Sequence, residues 1–132
     1  MNNKFARIIL CLALAPALFF MSGCAAVVVA GAAGAGAVAY VRGELAANLD
    51  RPLDKSVKAV RKAMKKLKFG VIKETSDTVS GEFTARTSQD KKILIKLKKI
   101  TDNCTEVTIR VDTFGDQELS QQIWDEIKEE AK

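Results

Sequence analysis

The 132-residue sequence contains no histidine. Ser-His-Asp triads, Cys-His pairs and His-ligated metal sites are therefore excluded. Chemistry built on carboxylates alone, or on a Ser-Lys pair, survives that test. However, Ser80, Ser88 and Ser120 stand at no known Ser-Lys spacing from nearby lysines. No metal-ligand set and no cofactor motif is present, so the expectation is a protein that is not an enzyme. A strong charge of one sign is missing too. The 21 basic and 16 acidic residues leave +5, too mild a surplus to imply a nucleic-acid partner. The apolar run near the start is also short. Ile8 to Met21 is about 14 residues, short of the roughly 20 that a membrane-crossing helix needs.

What is present begins with Lys4 and Arg7, which have no acidic neighbour, followed by that apolar run, broken only by Pro16. A charged start, a short apolar core and small residues at its end form the layout of a secretory signal. Met21-Ser22-Gly23-Cys24 resembles the lipobox of bacterial lipoproteins, with Met where Leu is usual. The resemblance implies that the Cys24 thiol receives a diacylglycerol and that cleavage falls between Gly23 and Cys24. A further acyl chain, palmitate for example, is then often added to the new amino group. Cys11 is no competitor, because it lies within the apolar core after Leu10. Ala25 and Ala26 follow Cys24, without the Asp that often holds such proteins in the inner membrane. By the same resemblance the expected address is therefore the periplasmic face of the outer membrane. Stable anchoring needs more than one acyl chain, and a triacylated Cys24 exceeds that requirement.

The expected division is a signal peptide over 1–23, the lipidated Cys24 and an Ala/Gly-rich tether over 24–42, and a folded domain over 43–132. Cleavage leaves 109 residues with 19 basic and 16 acidic side chains, one domain's worth of chain. Cys104 is then the one cysteine left unmodified, so no intramolecular disulfide forms, and it reads as a small buried or half-buried side chain. Asn103-Cys104-Thr105 matches a glycosylation sequon by chance in a bacterial protein. The tract Ala25 to Val41 has no charge and carries Gly31, Gly34 and Gly36. Three readings stay open for it: a flexible or weakly helical tether, a segment lying along the membrane surface, or a packed helix. In the last, small residues such as Ala32 and Gly36, or Ala35 and Ala39, would allow close approach. A membrane-proximal tether is the expectation.

From Gly43 the patterns become regular. Leu45, Ala47 and Leu49 alternate with Glu44, Ala46 and Asn48, predicting a strand. Asp50 and Pro52 predict a helix start, by capping and by a fixed angle in the first turn. Leu53, Val57, Val60, Met64 and Leu67 form one stripe on a helix of about 16 residues, with Gly70 as its stop. Four strands follow: Val71 to Thr75, then runs about Phe83, Ile95 and Ile109. Ser88-Gln89-Asp90 and Thr101-Asp102-Asn103 are turns, and the short connections imply antiparallel neighbours. Asp116 caps a last helix carrying Leu119, Ile123, Trp124 and Ile127. The predicted fold is α+β: a two-layer sandwich of order β-α-β-β-β-β-α, mostly antiparallel, with both helices on one face.

Gly43-Glu44-Leu45, Leu49-Asp50-Arg51-Pro52-Leu53-Asp54, Leu67-Lys68-Phe69-Gly70 and Thr113-Phe114-Gly115-Asp116 with Leu119-Ser120 resemble a family of small bacterial lipoproteins known as a domain of unknown function. That family supplies no activity. More loosely, the element order is similar to helix-grip modules in a lipoprotein of the β-barrel assembly machinery, an analogy that implies no function. Lys58, Arg61, Lys62, Lys65 and Lys66, with Lys55 and Lys68, make the first helix strongly basic. They are the candidate contact for anionic lipid or an acidic envelope partner, against the simpler reading of a solvated face. The acidic last helix, with Asp125, Glu126, Glu129 and Glu130, could complement it. Thr113–Asp116 reads as a recognition loop or simply a turn, and Gly81 as a bulge or a point of close ligand approach. Three functions follow as expectations. The first is a non-enzymatic binding or scaffold lipoprotein. The second is a carrier or sensor with a lipid or small-molecule cavity between sheet and helix. The third and weakest is a carboxylate hydrolase.

Overall fold

The computed structural model describes Val28–Val29, by backbone alone, and residues 38–132. The expected signal peptide, Cys24 and most of the Ala/Gly tract lie outside the described residues. The strands are β1 (Val28–Val29), β2 (Val38–Val41), β3 (Glu44–Leu49), β4 (Gly70–Ser76), β5 (Ser80–Arg86), β6 (Lys92–Thr101) and β7 (Cys104–Val111). The helices are α1 (Leu53–Lys66) and α2 (Gln117–Glu130). The sheet order is β1-β2-β3-β7-β6-β5-β4, and every neighbouring pair is antiparallel. From β3 onward the order is the predicted β-α-β-β-β-β-α, with both helices on one face of the sheet.

Period-2 patterning drives this arrangement. Leu45, Ala47 and Leu49 of β3, Phe83 and Ala85 of β5, Ile93, Ile95 and Leu97 of β6, and Val107, Ile109 and Val111 of β7 are all buried. Their alternates remain more exposed on the opposite face. The helices supply Val57, Val60, Met64, Ile123, Trp124 and Ile127 to the same core. Gly81 is explained by close packing. A Cβ there would lie 3.3 Å from Val57 Cγ2, so the glycine lets α1 settle onto the sheet, with no ligand needed to account for it.

Four local expectations change. The sheet extends upstream of residue 43, because β2 pairs with β3 through Ala39–Ala46, Tyr40–Leu45 and Val41–Glu44. Val38 and Tyr40 pack against the core from that strand. Asp50 does not cap α1. The N-cap is Pro52, without a side-chain cap bond, and the buried Ser56 hydroxyl instead donates to the Pro52 carbonyl at 3.1 Å. Pro52 accordingly stands one place before the first turn, with an extended ψ of 151°. The stop of α1 is set by Lys68, in the left-handed region at φ 58°. There Phe69 N–H donates to Met64 O and Lys68 N–H to Lys65 O, the paired bonds of a Schellman turn. Gly70 is simply the first residue of β4.

Arg51 ties the layers together. Its Nε donates to the Ala131 carbonyl at the end of α2, at 2.7 Å. Its own carbonyl accepts from the buried Thr105 Oγ1 of β7 at 2.9 Å. A cation at the last carbonyls of a helix also meets the negative end of its dipole.

Candidate functional site

The five basic residues singled out on α1 are all exposed, but they divide into two groups. The Arg61 guanidinium pairs with Glu74 of β4. Lys66 Nζ lies 2.6 Å from Glu126 Oε1 and 3.5 Å from Glu130 Oε1 on α2. The bond to Glu126 above all raises the Lys66 pKa. Among the described residues the basic and acidic helices complement each other at this point. Lys58, Lys62 and Lys65 make no ion pair among the described residues. With Lys55, their spacing of three, four and three residues places them along one line of the helix. That line is opposite the buried stripe, so it is a continuous cationic ridge.

The second candidate is the loop at the end of β7. Asp112 turns the chain with φ 60° and Gly115 with φ 82°. Asp112 N–H donates to the Lys92 carbonyl at 2.7 Å, and Thr113 N–H to Asp112 Oδ1 at 2.9 Å. Arg110 donates to Glu44 Oε1 and to the Thr113 carbonyl, both at 3.1 Å. Asp116 caps α2 as predicted, accepting from Leu119 N–H at 3.0 Å. It also receives Lys91 Nζ at 2.9 Å. These two donors, the Leu119 amide first, hold its carboxyl below the usual range, and Lys91 is raised in turn. In the middle of this fixed loop Phe114 is 93% exposed.

The hollows among the described residues include ones on outer surfaces. One of about 690 Å³ lies toward the β4–β5 end of the sheet, with Lys73, Glu82, Lys96, Lys98 and Glu106 among its walls. Register sets Glu82 opposite Lys96 and Glu106 opposite Lys98, so its strand carboxylates are separated by lysines. Its third acid, Asp77, is occupied by the β4–β5 turn, accepting from Val79 N–H and Ser80 N–H at 2.8 Å. Those bonds lower its pKa, the reverse of what a general acid needs. The space between sheet and helices is filled by Trp124, Phe83, Met64, Ile95 and Ile109 at 1% exposure or less. The cavity that a carrier requires is thus not found there among the described residues. Cys104 is a half-buried free thiol.

Over residues 7–130 the chain matches the family model described as a protein of unknown function, DUF3568. The chain belongs to that family. No curated protein matches it. The DUF3568 match runs through Met21–Cys24, the Ala/Gly tract and the whole sheet. The motif residues that carried the resemblance occupy junctions of the DUF3568 fold here. Gly43 lies in the β2–β3 turn and Arg51 bridges α1 entry to the end of α2. Phe69 closes α1, and Gly115-Asp116 opens α2. Sequence reasoning missed Arg51 as a clamp, because it stands in no periodic pattern; the loop that presents Phe114 was already a candidate as Thr113–Asp116.

Proposed function

We propose that this protein is a bacterial envelope lipoprotein, held by lipid on Cys24 at the periplasmic face of the outer membrane. There it serves as a non-enzymatic binding or scaffold module. The lipobox Met21-Ser22-Gly23-Cys24 carries the reading. The filled core supports a module that works through its surface, and so does the groove in which carboxylates alternate with lysines. Among the described residues no helix is long and apolar enough to cross a membrane; in this reading the lipid on Cys24 supplies the attachment. The ridge of Lys55, Lys58, Lys62 and Lys65 supplies a contact for anionic head groups or an acidic envelope protein, each lysine contributing about 1 kcal/mol near an anionic surface.

Fractionation of cells producing wild type or Cys24→Ala tests this. Wild type should sediment with outer membranes, and Cys24→Ala should not. Wild-type protein recovered in the soluble fraction would overturn the proposal.

A further inference from the structure

The described end of the chain shows which way the domain faces. β1 runs antiparallel to β2, with Val28 opposite Ala39 and Val29 opposite Val38. The chain therefore enters β1 from the side of Val41, Arg42 and Gly43. Cys24 precedes Val28 by four residues, a span of at most about 14 Å even when fully extended. At this same end of the sheet the Thr113–Gly115 loop meets the β2–β3 turn, since a Cβ on Gly43 would lie 2.7 Å from the Phe114 carbonyl oxygen. At this end lie Phe114, the most exposed large apolar residue among those described at 93%, and Val41 at 57%, whereas Ile72 at 62% and Val79 at 59% lie in β4 and the β4–β5 turn.

We propose that Phe114, with Val41 and Arg42 beside the same turn, is the point at which the folded domain inserts into the bilayer that holds the lipid of Cys24. This rests on the anchoring proposed above and adds an orientation to it. Phe114 is exposed although its loop is firmly held. Arg110 and Asp112 fix Thr113, Gly115 is locked against Gly43, and Asp116 is tied to α2 and Lys91. A side chain carried on a backbone held in this way costs little main-chain freedom on insertion, which favours a preorganised contact. Phe is among the apolar side chains with which interfacial segments enter the boundary between head groups and acyl chains. Arg42 is exposed next to Val41, and its charge suits anionic head groups while its stem lies along apolar surface. The occupant is the membrane rather than a protein because the lipidated residue enters from this end.

The test uses the full-length chain, expressed in bacteria, purified in detergent and returned to vesicles of phosphatidylethanolamine and phosphatidylglycerol with brominated acyl chains. Phe114→Trp is compared with Gln122→Trp on the exposed side of α2; the native Trp124 is buried and gives a common background. Mass spectrometry of the Cys24 peptide reports lipidation in the same samples. The expected result is a blue shift and loss of most of the added emission for Phe114→Trp, with neither for Gln122→Trp. A lipidated protein in which Phe114→Trp is not quenched would overturn this inference, leave the anchoring intact and turn attention to a protein partner. Equal quenching at both positions would also overturn it, by showing no preferred tip. An unlipidated Cys24 would remove the anchoring itself, and this orientation with it.

Discussion

Gly43 and Gly115 meet back to back. A Cβ built on Gly115 would lie 2.3 Å from Gly43 Cα and 2.6 Å from Tyr40 Oη, and both glycines hold positive φ angles. The contact locks the β2–β3 turn to the loop that opens α2, and no other residue type fits either position. Gly115→Ala is expected to destabilise the fold by more than about 2 kcal/mol through clash and backbone strain. Gly70→Ala is the matched control, because its Cβ would meet nothing nearer than Arg86 O at 3.9 Å. Urea unfolding of the two variants checks this, and equal midpoints would contradict it.

Lys68 offers the opposite change. A non-glycine residue in the left-handed region costs roughly 1–2 kcal/mol, partly offset in a glycine variant by the greater freedom of its unfolded chain. Lys68→Gly should therefore stabilise by about 1 kcal/mol and raise Tm by about 4–8 °C for a domain of this size. Thermal unfolding followed by circular dichroism reads it directly, and a lower Tm would show that Lys68 makes a contact the strain argument omits.

Asp116 gives a pH dependence. Its pKa is lowered in the folded state by Leu119 N–H and Lys91. It binds a proton more readily when unfolded, so its contribution is present above the ordinary carboxylate range and is lost as pH falls through the lower folded value. Asp116→Asn keeps an oxygen that can cap α2 but cannot titrate. Between pH 5 and pH 2 the urea midpoint should fall less steeply for Asp116→Asn than for wild type. Parallel curves would contradict the assignment.

The ridge on α1 predicts salt-sensitive attachment. Replacing Lys58, Lys62 and Lys65 by Gln in Cys24→Ala protein should weaken binding to phosphatidylglycerol vesicles by about 100-fold, at about 1 kcal/mol per lysine. Raising salt should abolish the difference by screening. Vesicle sedimentation measures it, and unchanged affinity at low salt would make the ridge a solvated face.

Much of this fold was legible because its burial is one-sided. Leu45, Phe83, Ile95 and Ile109 mark strands whose alternates stay more exposed, and Leu53 through Met64 marks a helix by its stripe. β2 was not legible for the same reason in reverse. Val38, Ala39, Tyr40 and Val41 are all apolar, so period 2 leaves no trace, although Val38 and Tyr40 alone face the core. Asp50 had the composition of a cap, but the chain needed Arg51 and Pro52 to reach Ala131 and Ser56, partners that local pattern cannot reveal. The basic ridge could be read from residue type and spacing. Its division into paired Arg61 and Lys66 and open Lys58, Lys62 and Lys65 depends on Glu74, Glu126 and Glu130 arriving from distant parts of the chain.

Everything proposed about function depends on the lipid at Cys24. Cells producing wild type or Cys24→Ala can be grown with a clickable fatty-acid analogue, and the captured protein examined for label. The account predicts strong label in wild type and none in Cys24→Ala. A wild-type protein without label, or equal label in both, would contradict it.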